Sequence, residues 1–289
     1  MPLPIDGFNT QAIDVHDAAY QADPAFKPDK LEMWAKIPVE QDGWVLAHNA
    51  LRHELSEFQK ACDAVGSSTP LVGWQVSSIQ SYIKGHVVHV HEHHQNEDAV
   101  FNPFLRTRIK YPEKLEADHV QLVETMKRVE AETARLAEGA TLGALATLWA
   151  EYASLMLPHL HEEEVVGLPL ARAFFTPAEV AKVTESFVKD GDPVAMGSFV
   201  HVNGSKKANM TFMRTYGIPF FVWYIPGKGF KALRTLYRKH MQSHVDSLIA
   251  GKPVLSLHTP KTAKAARDKN TSAQANAANQ LDVKVLGER

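Results

Sequence analysis

The chain has 289 residues, of which 45% are hydrophobic and 22% charged, the balance of an ordinary globular protein. Its formal net charge of −2 argues against a dedicated nucleic-acid binder, so we expect no nucleic-acid partner. The single cysteine, Cys62, excludes an intrachain disulfide and a thiolate metal site, which fits a reducing cytoplasm. The unusual number is 15 histidines, because neutral imidazole is a common metal ligand.

The N-terminal residues 1–41 carry scattered Pro, Gly and Asp without periodicity, which predicts an irregular arm. The first residues lack the basic start and the apolar core of a secretory signal. No stretch approaches the roughly 20 apolar residues of a membrane span. The longest apolar run, residues 218–226, is short and contains two prolines. We therefore expect a cytoplasmic protein without membrane contact.

Apolar residues at helical spacing predict four helices between residues 42 and 175. The predicted buried face of each helix includes one histidine, in chain order His48, His93, His119 and His159. The second and fourth faces also carry a glutamate each. Polar groups in a core are costly unless something satisfies them. A metal would satisfy all six side chains at once.

One short pattern occurs twice, in the second and in the fourth predicted helix. Its two copies are His93, Glu97, Asp98, Pro103 and His159, Glu163, Glu164, Pro169. Each glutamate follows its histidine by four residues, so the two side chains lie on one helix face and form a bidentate metal-ligand set. A further histidine precedes each copy, 45 residues before His93 and 40 residues before His159. Four histidines and two glutamates predict a two-metal site inside a helical bundle.

A single His-x-x-x-Glu pair is weak evidence for a metal, because His53 and Glu57 also match it. That pair lies off the apolar face of its helix, which predicts a solvated position. The same test predicts that His91 and His94 are exposed. Independent, hydrogen-bonded core histidines are the competing explanation for the two repeated pairs. The shared face, the shared acid and proline, and the similarly spaced upstream histidines favour metal binding.

Nitrogen and carboxylate ligands without sulfur suit Fe, Mn or Zn. Six ligands exceed the four that one tetrahedral zinc uses. Two carboxylates from neighbouring helices can instead bridge two metals about 3.5–4 Å apart. Ferritin-like di-iron sites need two Glu-x-x-His motifs and two further glutamates. This chain has one such match, Glu116 and His119, so its ligand spacing is not ferritin-like.

The ligand pattern resembles the hemerythrin-like, or HHE cation-binding, domain. The segments HHQNEDAVFNPFL and HLHEEEVVGLPL are similar to the two signature segments of that family, and the resemblance covers residues 42–175. It implies an all-α fold with an up-down four-helix bundle around a non-haem di-iron centre. By the match, the centre would be bridged by two glutamates and an oxygen species, with four terminal histidines. These residues are His48, His93, Glu97, His119, His159 and Glu163.

The chain departs from the resemblance at one position. Oxygen-carrying hemerythrins resemble each other in having a second histidine one turn away on the third helix, where this chain has Leu115 and Val123. The ligand count is therefore one short. His86 and His89 are candidates for the extra ligand, or they support a ligand or pack in the core. Tyr152 is a candidate hydrogen-bond donor to a metal-bound ligand, with an ordinary core tyrosine as the alternative.

Residues 176–255 are predicted to form a helical C-terminal extension. Thr176 and Glu179 fit a capping box with Pro177 at the first helical position, so a helix should begin there and end near Gly191. Two or three further helices are expected between residues 205 and 250. Residues 256–289 contain almost no large apolar side chain, which predicts a disordered tail.

Two further signals lie in the extension. His240 and His244, with His201 more distant, are weak zinc candidates, and a surface helix is the preferred interpretation. A basic face follows the aromatic run at residues 220–224. It could dock on a membrane surface or a partner, but a solvated face beside core aromatics is more common. The basic residues are Lys228, Lys231, Arg234 and Arg238.

We therefore expect a protein that binds two non-haem, carboxylate-bridged iron ions and engages O2, NO or peroxide, although Mn and Zn fit the same donors. The missing third-helix ligand is expected to leave room for the small ligand and to favour redox turnover. No residue is predicted to be catalytic. Two alternatives stay open. One is a di-iron oxidase, peroxidase or NO-handling enzyme, and the other is a metal- or oxygen-responsive sensor or interaction module without an identified protein partner.

Overall fold

The structure is a computed structural model that describes residues 28–253, and every regular element in this range is helical. The predicted tail, residues 256–289, and residues 1–27 of the predicted arm lie outside the described residues. The described end of the arm contains helix α1, Pro28–Trp34, and a 3-10 turn at Val39–Gln41.

The four predicted helices between residues 42 and 175 are confirmed. Two of them continue through a π-helical turn into a short final helix. In chain order the elements are α2 (Gly43–Val65), α3 (Gly73–Asn96) with π turn Glu97–Phe101 and α4 (Asn102–Leu105), α5 (Glu113–Arg135), and α6 (Gly143–Glu162) with π turn Glu163–Gly167 and α7 (Leu168–Phe174).

The four long helices enclose one core. Helix α2 packs against α3 and α6, and α5 packs against the same two helices. Aromatic side chains fill the centre of this core: the Phe58 ring stacks on Tyr82 at 5.6 Å and meets Trp149 edge-on at 4.7 Å. Each fully buried large apolar side chain contributes about 1.5–3 kcal/mol to folding. This packing holds the polar groups of the site at fixed positions.

Both copies of the repeated pattern contain a π turn that starts at the glutamate. The amide N–H of Asn102 donates to the carbonyl of Glu97, and the amide N–H of Leu168 donates to that of Glu163. These bonds span five residues instead of four, so each turn holds one extra residue. Single π turns inside α-helices are often found at functional sites.

We attribute the π turns to the prolines that follow them. Pro103 and Pro169 have no N–H, and the ring of a proline clashes with the carbonyl four residues earlier. The extra residue relieves this clash one turn before the proline. Pro158 lies inside α6 as well, yet that helix is continuous to Glu162.

The C-terminal extension is also helical. The capping box is confirmed, because the Glu179 amide donates to the Thr176 hydroxyl at 3.2 Å and the Thr176 amide donates to the Glu179 carboxylate at 2.8 Å. None of the helices in residues 28–253 is long and apolar enough to cross a lipid bilayer. The elements are α8 (Pro177–Asp190), α9 (Pro193–Val202), α10 (Lys206–Thr215), a 3-10 turn (Phe220–Tyr224), α11 (Phe230–Tyr237), a π turn (Arg238–Gln242) and α12 (Ser243–Ala250).

The extension covers one face of the bundle. Helix α12 packs against both α2 and α3, and α9 packs against α2. Met241 lies directly over Gly85 of α3, where a Cβ would be 2.7 Å from its sulfur. Gln242 contacts His53 at 3.1 Å and Glu57 at 3.2 Å. The prediction that these two residues are solvated is therefore wrong, because a distant part of the chain covers them.

Gly197 allows α9 to approach α11 closely. A Cβ at this position would lie 2.2 Å from the carbonyl oxygen of Leu233, a backbone atom that cannot move aside. We expect Gly197→Ala to destabilise the protein by about 1–3 kcal/mol through overpacking. The measurement is thermal unfolding followed by circular dichroism, in which Tm should fall by several degrees.

Gly73→Ala is the matched control. A Cβ at this helical position would meet only the flexible Glu138 carboxylate, at 3.6 Å. Because alanine favours helix over glycine, Tm should stay unchanged or rise. Equal Tm values for the two variants would contradict the close approach of α9 and α11.

Candidate metal centre

The structure brings all six predicted ligands together inside the bundle, at the level where the two π turns begin. They fall into two neighbouring groups, and in each group the candidate ligand atoms lie within 4.8 Å of one another. The first group contains four of the predicted residues. The second contains the other two together with a histidine that was not predicted as a ligand. The groups are His48, His93, Glu97 and Glu163, and His94, His119 and His159.

Glu97 lies between the two groups. Its Oε1 is 3.4 Å from His93 Nε2, in the first group, and its Oε2 is 3.6 Å from His119 Nε2, in the second. The indole N–H of Trp44 donates to Oε1 at 2.8 Å and fixes the orientation of the carboxylate. One oxygen therefore faces each group.

Glu163 has the same arrangement. Its Oε2 is 3.2 Å from His48 Nε2, and its Oε1 is 3.5 Å from His159 Nε2 and 3.9 Å from His119 Nε2. The side chain is completely buried. Two carboxylates that each present one oxygen to either group have the arrangement required to bridge two cations.

His94 was predicted to be exposed, and this prediction is wrong. Its side chain is buried, and its ring stacks on His119 with centroids 4.2 Å apart. Consecutive helical residues differ in direction by about 100°. On α3, His93 faces His48 of α2, with centroids 5.2 Å apart, and His94 faces α5. His94 therefore joins the group of His119, although it lies on the second long helix instead of the third.

His86 and His89, the predicted candidates for that ligand, lie in neither group. Each donates a hydrogen bond from Nδ1 to Glu54, at 2.7 and 2.9 Å. Tyr152 contacts this network instead of the centre, because its hydroxyl lies 3.2 Å from His86 Nε2. Burial alone would raise the pKa of Glu54, but the two histidines lower it to about 2. Sequence reasoning missed Glu54, which lies beside the apolar face of α2.

The second acid of each repeated pattern orients a histidine on another helix. Asp98 accepts a hydrogen bond from His119 Nδ1 at 2.8 Å, and Glu164 accepts one from His48 Nδ1 at 3.0 Å. A carboxylate at Nδ1 fixes the tautomer and turns the Nε2 lone pair toward the centre. In each copy of the pattern, the glutamate thus lies at the centre. The acid that follows it accepts a hydrogen bond from a candidate ligand on another helix.

Further charges complete this outer layer. Arg52 binds Glu164 through two hydrogen bonds, at 2.6 and 2.8 Å. Asp118 lies 3.7 Å from His159 Nδ1, and its pKa is lowered mainly by that histidine. Lys114 pairs with Asp118 at 2.7 Å. Glu164 and Asp118 each pair with a cationic side chain. They thereby orient His48 and His159 from the side away from the centre.

The buried donor atoms of the centre fit cations. The atoms without a hydrogen-bond partner include Nε2 of His48 and His93, both nitrogens of His94, Oε2 of Glu97 and both carboxylate oxygens of Glu163. An unsatisfied buried polar group costs about 1–3 kcal/mol, so this many in one place would be strongly destabilising. Two cations with nitrogen and oxygen ligands would satisfy all of these atoms except one nitrogen of His94, because each side chain offers one ligand atom.

The electrostatics agree with this fit. Burial, and then the neighbouring imidazoles, hold the pKa of His93 and His94 well below the usual range, so both are neutral and have a free lone pair. Burial and the nearby Glu163 raise the pKa of Glu97. Burial alone would also raise the pKa of Glu163, but His159 and His48 lower it. His93 and His94 thus offer free lone pairs to a cation. Burial alone would lower the pKa of His48, but Glu163 and Glu164 raise it.

Tyr111 was not predicted to belong to the site. Its hydroxyl is buried and has no hydrogen-bond partner. Burial, then Glu163 and Glu97, raise the pKa of this phenol, which places it near both carboxylates. It precedes α5 in an irregular segment, where no periodicity could indicate its position.

A cleft of about 270 Å³ between α5 and α6 reaches His159. Asp118 and Leu122 line it on one side, and Ser154 and Leu155 line it on the other. It connects the surface with a candidate ligand of the second group.

Other candidate residues do not join the centre. Within residues 28–253, His201, His240 and His244 form no ligand group. His240 is exposed, in agreement with the preferred interpretation. Burial raises the pKa of Cys62 to about 12, so it carries no thiolate.

Comparison with family models matches residues 40–171 to the family described as Hemerythrin, hemerythrin HHE cation binding domain. The match includes both copies of the repeated pattern and all seven residues of the two groups. It confirms the resemblance inferred from the sequence. Comparisons with curated proteins and with solved structures gave no match.

His94→Ala tests the second group. Without His94, only His119 and His159 remain as imidazole ligands of that group. We expect the metal content to fall from two ions per chain toward one, measured by elemental analysis of protein from iron-replete cells. His91→Ala is the control, because His91 is exposed on the same helix and should keep full metal content. Equal metal content in both variants would remove His94 from the site.

Proposed function

We propose that residues 40–171, a hemerythrin HHE cation-binding domain, hold a carboxylate-bridged pair of non-haem iron ions that binds or processes O2, NO or peroxide. One observation carries this proposal: Glu97 and Glu163 each offer one oxygen to each group of histidines. Such shared carboxylates keep two cations about 3.5–4 Å apart.

In this proposal the two ions have unequal ligand sets. His48 and His93 hold one ion, and the three histidines of the second group hold the other. With one oxygen from each glutamate, the first group would offer four protein donors to an ion and the second group would offer five. The first group would therefore leave the open position for a small ligand. The ligand that we expected to be missing from the third helix would be supplied by His94. The expected absence of that ligand is therefore no argument for redox turnover.

Several side chains would control what reaches the open position. Trp44 packs edge-on against Phe101 at 4.9 Å, and both lie beside the first group. These rings exclude water. The Tyr111 hydroxyl is a buried donor without a partner, and we assign it the role of hydrogen-bonding a ligand at the centre.

Iron in this site would supply electrons and a free coordination position. The same nitrogen and oxygen donors also suit Mn and Zn, so the metal must be measured. The helix order is supported by short connections: α2 joins α3 through residues 66–72, and α5 joins α6 through residues 136–142. Because these helices also pack as neighbours, we propose an up-down arrangement. We also propose residues 42–175 as the metal domain and residues 176–255 as its extension.

A metal-responsive module is the second candidate. The observation that favours it is the packing of Met241 directly on α3, the helix that carries His93 and His94. Metal binding that orders α3 would then stabilise the extension. Limited proteolysis of apo and loaded protein tests this idea, and equal cleavage of the extension in both states would contradict it.

Metal analysis with absorption spectroscopy tests the di-iron proposal. We expect two irons per chain and a charge-transfer band that changes with azide. Glu97→Ala and Glu163→Ala should lose the band, because each removes a bridge. The control is Glu151→Ala, an exposed glutamate paired with Arg128 at 2.5 Å. One zinc per chain with a featureless spectrum would refute the iron assignment.

A further inference from the structure

A second concave site lies in the C-terminal extension and shares no residue with the metal centre. It is a hollow of about 450 Å³. Four cationic side chains and two aromatic ones dominate its lining. They are Lys206, Lys231, Arg234, Arg238, Trp223 and Tyr224.

Three segments of the extension build this hollow. Helix α11 and the π turn after it place Lys231, Arg234 and Arg238 three and four residues apart, on a single helix face. Lys206 is the first residue of α10. The 3-10 turn supplies the aromatic wall. The hollow is therefore lined by three of the four residues of the basic face predicted from the sequence, and Lys228 is not among them.

The Trp223 side of the aromatic wall is buried, whereas Tyr224 is exposed. Trp223 is 5% exposed and packs against Phe230, with ring centroids 6.4 Å apart. Gly229 lies so close to the turn that a Cβ would be 2.4 Å from the Val222 carbonyl oxygen. This tight packing fixes the start of α11 against the turn. The cations that follow on α11 consequently have a defined position relative to the wall.

The charges in the hollow are not compensated. Among the described residues, no carboxylate lies within ion-pair distance of any of the four cations. Lys206 instead donates to the Tyr224 hydroxyl and lies 4.8 Å over that ring. Elsewhere on the surface, arginines such as Arg108 are paired with a carboxylate, here Glu179. Four like charges around one cavity repel each other unless an anion binds between them.

The positive field extends beyond the hollow. His201 is half-buried, and burial followed by Arg234 and His53 lowers its pKa to about 4. Arg238 adds to this effect. The nearby Asp246 raises this pKa and so partly offsets the two guanidinium groups.

We propose that this hollow binds an anion that carries phosphate groups. Guanidinium forks match phosphate oxygens in a bidentate geometry, and lysine adds point charges. Two arginines and two lysines suit a ligand with at least two negative charges. The shared chemistry is the phosphate group, whether it belongs to a free organic phosphate or to a lipid headgroup. This inference does not depend on the identity of the metal.

Isothermal titration with pyrophosphate tests the proposal on the full, metal-loaded chain at about 100 mM salt, where charges on the surface are partly screened. We expect Arg234→Gln/Arg238→Gln to weaken binding at least about tenfold, because two charge-assisted contacts are lost. The control is Lys127→Gln/Arg135→Gln, which removes the same charge from exposed positions on α5. Its affinity should equal that of the unmodified protein. The azide band should be unchanged in both double variants.

A second arm identifies the source of the phosphate. Co-sedimentation with neutral vesicles and with vesicles containing a phosphoinositide distinguishes a lipid headgroup from a free phosphate. If Arg234→Gln/Arg238→Gln fails to fold, Lys206→Gln/Lys231→Gln replaces it, since both lysines are exposed, and several-fold weaker binding is expected. Three outcomes would overturn the proposal: no binding of millimolar pyrophosphate or vesicles, unchanged affinity in the hollow variants, or equal loss in the control pair.

Discussion

The contacts of two buried glutamates with four imidazoles constrain the whole bundle. Glu97 and Glu163 are 4% and 0% exposed. A carboxylate is stable in such a position only if positive charges or hydrogen-bond donors surround it. The imidazoles that do so come from all four long helices. Each helix must therefore present its histidine at one common level. The aromatic core and the outer acids both serve this requirement.

The two repeated patterns support each other across the bundle. In each pattern, adjacent acids have different tasks: the first faces the centre and the second holds a histidine of another helix. Asp98 holds His119, and Glu164 holds His48. Consecutive helical positions point about 100° apart, which makes this division possible. A candidate ligand on one helix is consequently oriented by an acid from the repeated pattern of another helix, so a change in one pattern also affects the other half of the site.

The sequence was sufficient for the four helices, the capping box and six of the seven clustered residues, because periodicity records which face of a helix is buried. The sequence did not predict the burial of His94. A helix in a bundle contacts two neighbouring helices, so its buried face is wider than a single row of apolar residues. The contact of His53 with Gln242, 189 residues away, cannot be read from local sequence patterns. Tyr111 lies in an irregular segment without periodicity. Glu54 was missed because its partners lie on another helix.

The extra residue in each π turn limits how the chain can vary in length. The stretch from Glu97 to Phe101 fits one residue more than an α-helix would hold over the same rise. Deleting one residue there would restore a regular α-helical turn and bring the ring of Pro103 back against the carbonyl four residues before it. The residue count of each π turn is therefore tied to the proline that follows it.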